Sequence, residues 1–224
     1  MRKQKIAYID LTTGKIEKRD IPESMRRLYL GGRGLDMYLL YNHIKPDIDP
    51  LGPENVVTVS AGFLGGTPAP SSSRIHAGAK SPLTGFIGST NSGGYFAPEL
   101  RFAGFDHLLF KGRSEKPVYL WVHDGEIEIR DGSRIWGHDT FETQQMIKDE
   151  LDDQDVKVFC IGQAGENLVR FANVRTGAKN TAGRTGIGAV MGSKNLKAIA
   201  ARGTLGVEIA NPEEALKLYE KKIE

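Results

Sequence analysis

Cysteine is almost absent: Cys160 is the single thiol among 224 residues. One thiol excludes an internal disulfide, a four-thiolate zinc site and a self-contained iron–sulfur cluster, each of which needs further sulfur ligands. Long apolar runs are missing too, and nothing approaches the ~20 residues a membrane helix requires. Excess charge of one sign is absent. Thirty Lys and Arg against 28 Asp and Glu leave a formal charge of +2, with the two signs interspersed, which argues against a nucleic-acid partner. The basic start, Met1 to Lys5, meets Asp10 before any export-signal core can form, so a cytoplasmic location is expected and no membrane partner.

What the chain has in surplus is glycine, 27 residues, or about 12% against a usual ~7%. The glycines cluster in Gly31–Gly34, Gly62–Gly66, Gly85–Gly94 and Gly183–Gly188, between stretches that read as regular structure. A disordered linker would be a glycine tract poor in aliphatics, and no such tract occurs. These are loops of a packed domain.

The order of elements occurs twice. Lys5 to Leu11 and Lys15 to Ile21 read as strands around the Gly14 turn, and Tyr119 to Asp131 lies over Tyr8 to Asp20 without a gap. Helical candidates follow, Glu23 to Ile44 broken at Gly31–Gly34, and Thr140 to Leu151. Next come strands at Asn55–Gly62 and Val156–Gly162, second strands at Ser73–Lys80 and Leu168–Val174, glycine loops near 85–94 and 177–188, short helices, and closing strands at Asp106–Gly112 and Leu196–Gly203. An internal duplication is the economical reading. It predicts an α+β fold of two β-sheets related by a pseudo-two-fold and flanked by helices, a layered α/β/β/α sandwich. The repeats span about 1–112 and 113–205 of a domain covering 1–210, and the two glycine loops face one another. Residues 211–224, with Asn211 at the N-cap and Pro212 at N1, read as the start of a helix leading to a following domain.

Glycine-rich backbone at the start of a helix suits anions, phosphate above all. Arg74 and Arg184 offer planar charged forks beside the two loops. Established nucleotide motifs fail. Gly186–Gly192 has three residues where the dinucleotide fingerprint has two, and Gly192-Ser-Lys194 lacks the rest of a phosphate-binding P-loop. The histidines at 43, 76, 107, 123 and 138 show no metal-ligand spacing and read as structural, Cys160 reads as a small buried hydrophobe, and no catalytic residue stands out. The residues alone describe a module that binds a phosphate-bearing ligand.

Three stretches are more specific: Ala79 to Asp106 with Gly85-Phe-Ile-Gly-Ser-Thr-Asn-Ser-Gly-Gly94 inside it, Ile161 to Val169, and Gly186 to Ile199. Through them the chain resembles the N-terminal domain of the tungsten-dependent aldehyde ferredoxin oxidoreductases, over essentially its whole length. The resemblance implies a seat for a tungsten (or molybdenum) bis-pterin, with magnesium joining the two pterin phosphates. Carried over by motif, the magnesium would take backbone carbonyls of Asn91 and Thr181. Arg74, Asn91, Ser92, Gly93 and Gly94, with Asn180, Thr181, Ala182, Gly183 and Arg184, would hold the cofactor. Asn180 stands where family members often carry a phosphate-contacting Arg, a departure expected to weaken the hold on phosphate unless Arg175, Lys179 or Arg184 compensates.

The family's [4Fe–4S] cluster and acid/base residues belong to later domains. The implied reaction, aldehyde to carboxylic acid with electrons passing to ferredoxin, is therefore expected only of a complete enzyme, with the remaining domains or a second subunit as partners, and a homodimer is an open assembly. The contrasting expectation is a non-enzymatic phosphate- or pterin-binding or assembly module on the same scaffold.

Overall fold

A computed structural model describes residues 4–223; Met1, Arg2 and Lys3 of the basic start, and Glu224, lie outside the described residues. The first half runs β1 (Lys5–Asp10), β2 (Lys15–Asp20), α1 (Glu23–Tyr29), α2 (Arg33–His43), β3 (Val57–Ala61), β4 (Ile75–Lys80), β5 (Ile87–Ser92), α3 (Phe96–Phe102) and β6 (His107–Lys111). The second runs β7 (Val118–His123), β8 (Glu126–Asp131), α4 (Thr140–Glu150), β9 (Lys157–Cys160), α5 (Gln163–Glu166), β10 (Val174–Thr176), β11 (Asn180–Ala182), α6 (Ile187–Ser193) and β12 (Leu196–Arg202), and α7 (Pro212–Ile223) follows.

Each half forms one six-stranded sheet, and the two orders are the same. The first is β2-β1-β6-β3-β4-β5 and the second, read from its other end, is β8-β7-β12-β9-β10-β11. In each sheet only the β1/β6 or β7/β12 pair is parallel and every other neighbour is antiparallel. The duplication expected from element order is thus present in pairing direction as well.

Period-two alternation decides which side chains face which layer. Ala7 and Ile9 of β1, Leu108 and Phe110 of β6, Leu120 and Val122 of β7, and Ile199 and Ala201 of β12 join one core between the sheets. Their neighbours turn the other way. Ile6 and Leu109 pack with Leu35, Leu39 and Leu40 of α2, and Tyr119, Ala198, Ala200 and Cys160 pack with Ile147 of α4. Helices α3 and α6 contribute Phe96, Leu100, Ile187, Val190 and Met191 to the central core. The Phe96 ring meets Phe159 of the other half at 5.5 Å between centroids. Cys160 is buried as expected, and desolvation pushes its thiol up to about 12, so it carries no thiolate chemistry. Among the described residues no helix is long and apolar enough to cross a membrane.

Three expectations need correction. The stretches read as glycine loops contain the strands β5 and β11, because partner strands β4 and β10 override the weak strand preference of Gly, Ser and Asn. The strand expected over Leu168–Val174 begins only at Val174. The short helix α5 and a turn through Leu168, held at positive φ, occupy the preceding residues. The gap-free hairpin match is offset by two in its first strand: Tyr8 pairs with Glu17, but Tyr119 pairs with Arg130, and Trp121 is the residue opposite Glu128. Asp124 and Gly125, both at positive φ, close β7 and β8 with a two-residue turn, whereas four residues separate β1 from β2. A shift of two keeps every side chain on its face.

Much of the glycine after residue 185 serves this packing. A Cβ on Gly192 would overlap the Gly165 carbonyl of α5, and one on Gly186 the Arg170 carbonyl. Gly192→Ala is expected to lower the unfolding free energy by about 1–3 kcal/mol through overpacking. Gly183→Ala, whose added carbon would meet only Thr181 at 3.9 Å, should stay within ~0.5 kcal/mol. Denaturant unfolding of the two variants checks the contrast.

Candidate functional site at the junction of two edge strands

β5 and β11 are the last strands of their sheets, and the fold brings them against each other. The junction is stitched by local polar contacts. Arg184 N–H donates to Thr90 Oγ1 at 3.2 Å, and Ser81 Oγ donates to the Thr185 carbonyl at 2.8 Å. The Asn180 side chain lies where a Gly94 Cβ would come within 2.9 Å of its Nδ2. Gly94 also holds φ at +97°, so both backbone and space call for glycine there. The two glycine-rich segments thus do face one another, as the duplication implied.

Cross-strand register puts Asn91 and Thr181 in corresponding places. In the first sheet one line of partners runs His107, Ser60, His76, Asn91; in the second it runs Ala198, Cys160, Arg175, Thr181. Arg74, two residues before His76 on the same face, donates from Nη1 to Asn91 Oδ1 at 2.8 Å and is otherwise exposed. Gly93 and Gly183 leave their surroundings open, with nothing nearer to an added carbon than Asn180 at 3.4 Å and Thr181 at 3.9 Å. Ser92 and Ala182 are buried, main chain included. Asn180 and Thr181 are half-buried, and Arg184 is exposed with its guanidinium unpaired among the described residues. Among the described residues no group of three or more His, Cys, Asp or Glu side chains could hold a metal ion. A cation at this junction would therefore rely on neutral oxygen donors rather than on a cluster of carboxylates, imidazoles or thiolates.

The structure also shows a constellation that sequence reasoning missed. Asp36 of α2 is fully buried and accepts three hydrogen bonds: from Ser60 Oγ at 2.5 Å, from His76 Nδ1 at 2.5 Å and from His107 Nδ1 at 3.0 Å. His76 Nε2 continues to Ser89 Oγ of β5 at 2.9 Å, so the network ends on the strand that carries Asn91. Burial alone would raise the Asp36 pKa, but the hydrogen bonds and charge of His107 and His76 outweigh it and hold the carboxyl below its ordinary value. The second half keeps its buried charge elsewhere, in the Lys197–Glu166 pair, and the fourth residue of α4, the position Asp36 holds in α2, is the buried but uncharged Thr143. Arg175 instead stacks on the Phe141 ring at 4.4 Å and donates to the Gly177 and Ala178 carbonyls, so it does not reach across to replace a missing arginine at 180.

A duplicated two-sheet domain with open backbone at the meeting of its edge strands is a known architecture. The model of the aldehyde ferredoxin oxidoreductase N-terminal domain matches residues 6–203, and the chain belongs to that family. It is 47% identical to the tungsten-containing aldehyde ferredoxin oxidoreductase of Pyrococcus furiosus, across 96% of this chain and 36% of the relative. It is also 36% identical to the aliphatic sulfonate oxidoreductase, WOR-like subunit, of the same organism, across 89% of this chain and 34% of that one. Among solved structures it superposes on the active-site complex BamBC of benzoyl coenzyme A reductase with 1,5-dienoyl-CoA. The TM-score is 0.96 and the identity 39%, over 100% of this chain and 34% of that one. The chain thus spans about a third of the length of these relatives.

Folding lowers the Asp36 pKa, so this group adds stability that is fully present above the ordinary carboxylate range and is lost as pH falls through the lowered value. Asp36→Ala, which leaves three buried donors without an acceptor, is expected to cost on the order of 3 kcal/mol at neutral pH. It should also flatten the acid limb of a plot of unfolding midpoint against pH, and an unchanged limb would show that the carboxylate is not the titrating group.

Proposed function

We propose that residues 1–210, as repeats of about 1–112 and 113–205, form the cofactor-bearing base of an aldehyde oxidoreductase-type enzyme. The ligand would be a tungsten (or molybdenum) bis-pterin with magnesium, the metal ion held by main-chain oxygens of Asn91 and Thr181. The observation that carries this reading is the corresponding placement of Asn91 and Thr181 on two abutting edge strands, beside open glycine backbone and the exposed Arg74. The donor chemistry fits. Main-chain oxygens suit a hard cation such as magnesium, and a guanidinium suits a phosphate or a polar heterocycle.

In this reading Arg74 binds and orients the pterin while its bond to Asn91 keeps the β5 end in place. Gly93, Gly94 and Gly183 would admit the phosphates to main-chain N–H groups, with Ser92 and Ala182 as their buried neighbours on the two strands. His76, held by Asp36, fixes β5 from beneath through Ser89. When bound, the metallopterin supplies the two-electron redox chemistry, and the protein's part here is positioning.

The relatives' names carry different reactions, on aldehydes, an aliphatic sulfonate and a benzoyl thioester, over one shared domain. A domain common to all three serves what they share, so substrate choice, the [4Fe–4S] cluster and the exit of electrons to ferredoxin are assigned to the rest of a complete enzyme.

The test uses the complex that contains the remaining domains. Arg74 is exposed, so Arg74→Ala should leave the fold intact while lowering tungsten and pterin content by half or more, measured by elemental analysis and pterin fluorescence. Full occupancy in Arg74→Ala combined with Asn91→Pro would overturn the assignment.

A further inference from the structure

A groove of about 280 Å³ opens beside the junction, between Gly94 and Tyr95 at the start of α3 and the β10–β11 turn. Lys148 of α4, Lys157 of β9 and Lys179 of the turn all line it, with the Asn180 amide, and no carboxylate does. Among the described residues Lys148 and Lys179 have no hydrogen-bond or ion-pair partner for their ammonium groups, and Lys157 has only Asp155 at 3.9 Å. Three lysines from three elements line one concave space with no carboxylate among the lining residues, an arrangement that favours positive potential within it. Arg175 is already committed to Phe141 and two carbonyls, and the exposed Arg184 does not line the groove, so the cations that line it are the three lysines.

We infer that this groove is an anion site for a phosphate ester, in which Lys148, Lys157 and Lys179 together supply the counter-charge and Asn180 a polar contact. The identity of the phosphate's bearer rests on the cofactor reading above; the charge of the groove does not. Ammonium groups are point donors on flexible stems, so three of them can enclose a phosphate without the fixed geometry of a fork.

Pyrophosphate is titrated into the full chain at low ionic strength and followed by calorimetry. Saturable binding that weakens with added salt is expected. Lys148→Gln, Lys157→Gln and Lys179→Gln combined should reduce affinity roughly tenfold or more, since charge-assisted contacts are lost. Lys45→Gln, Lys116→Gln and Lys217→Gln, the same change in net charge away from the groove, should leave affinity within about twofold. Adding Asn180→Arg to the first triple variant should restore binding. Equal losses in the two triple variants, or no saturable binding by the unaltered chain, would overturn the proposal.

A second arm identifies the bearer. If loading the complete enzyme with its pterin blocks pyrophosphate, the phosphate belongs to the cofactor. If both bind together, the groove holds a separate phosphate ester. Should Arg74→Ala combined with Asn91→Pro leave cofactor content unchanged while the lysine variants still lose pyrophosphate, the cofactor reading fails and the anion site stands.

Discussion

The apolar seam between the two sheets is the constraint on which the rest depends. Each sheet offers one aliphatic face, and both faces close on a single core that also swallows α3 and α6. Burial of this kind contributes roughly 25 cal/mol for each Å² of apolar surface removed from water. Once the sheets are locked face to face, the positions of their last strands follow. β5 and β11 meet because the sheets that end in them cannot slide, and the candidate site is a consequence of core packing rather than of any local device.

Beneath that common plan the two halves have diverged in charge. The first keeps a carboxylate deep under α2, held by a hydroxyl and two imidazoles. The second has the uncharged Thr143 at the corresponding helix position and sends Arg175 sideways over Phe141. A buried charge is costly unless its partners are complete, so a duplicated fold can tolerate it at one position in one copy and dispense with it there in the other. The same division continues at the surface, where the first half presents Arg74 and the second presents lysines around a groove.

Much of the architecture was legible in the sequence, for reasons that particular residues show. Both hairpins and the outer helices α2 and α4 are readable from the order of apolar and polar residues, and Gly14 and Gly125 mark the hairpin turns. The closing strands β6 and β12 are aliphatic runs that could scarcely be anything else. β5 was not legible, because Ile87-Gly-Ser-Thr-Asn-Ser92 has loop composition and becomes a strand only through six cross-strand partners on β4. The Asp36 network was hidden for a different reason. Its members stand 24, 40 and 71 residues from Asp36, and no spacing rule links positions joined only by strand order. At the site, the facing of the two segments followed from the duplication, whereas the groove lysines required knowing that α4, β9 and the β10–β11 turn converge.

The edges of the two sheets differ in how they are guarded. β2 and β8 carry Lys, Glu, Arg and Asp along their length, the usual defence against adding a foreign strand. β5 and β11 carry no charged side chain at all. Their protection is mutual, each blocking the approach to the other without forming a ladder with it. Unclaimed main-chain groups are a hazard in a lone sheet; here the duplication confines them to one narrow cleft. The features that would make a single repeat prone to self-association are thus enclosed, in the pair, at the junction of the two sheets.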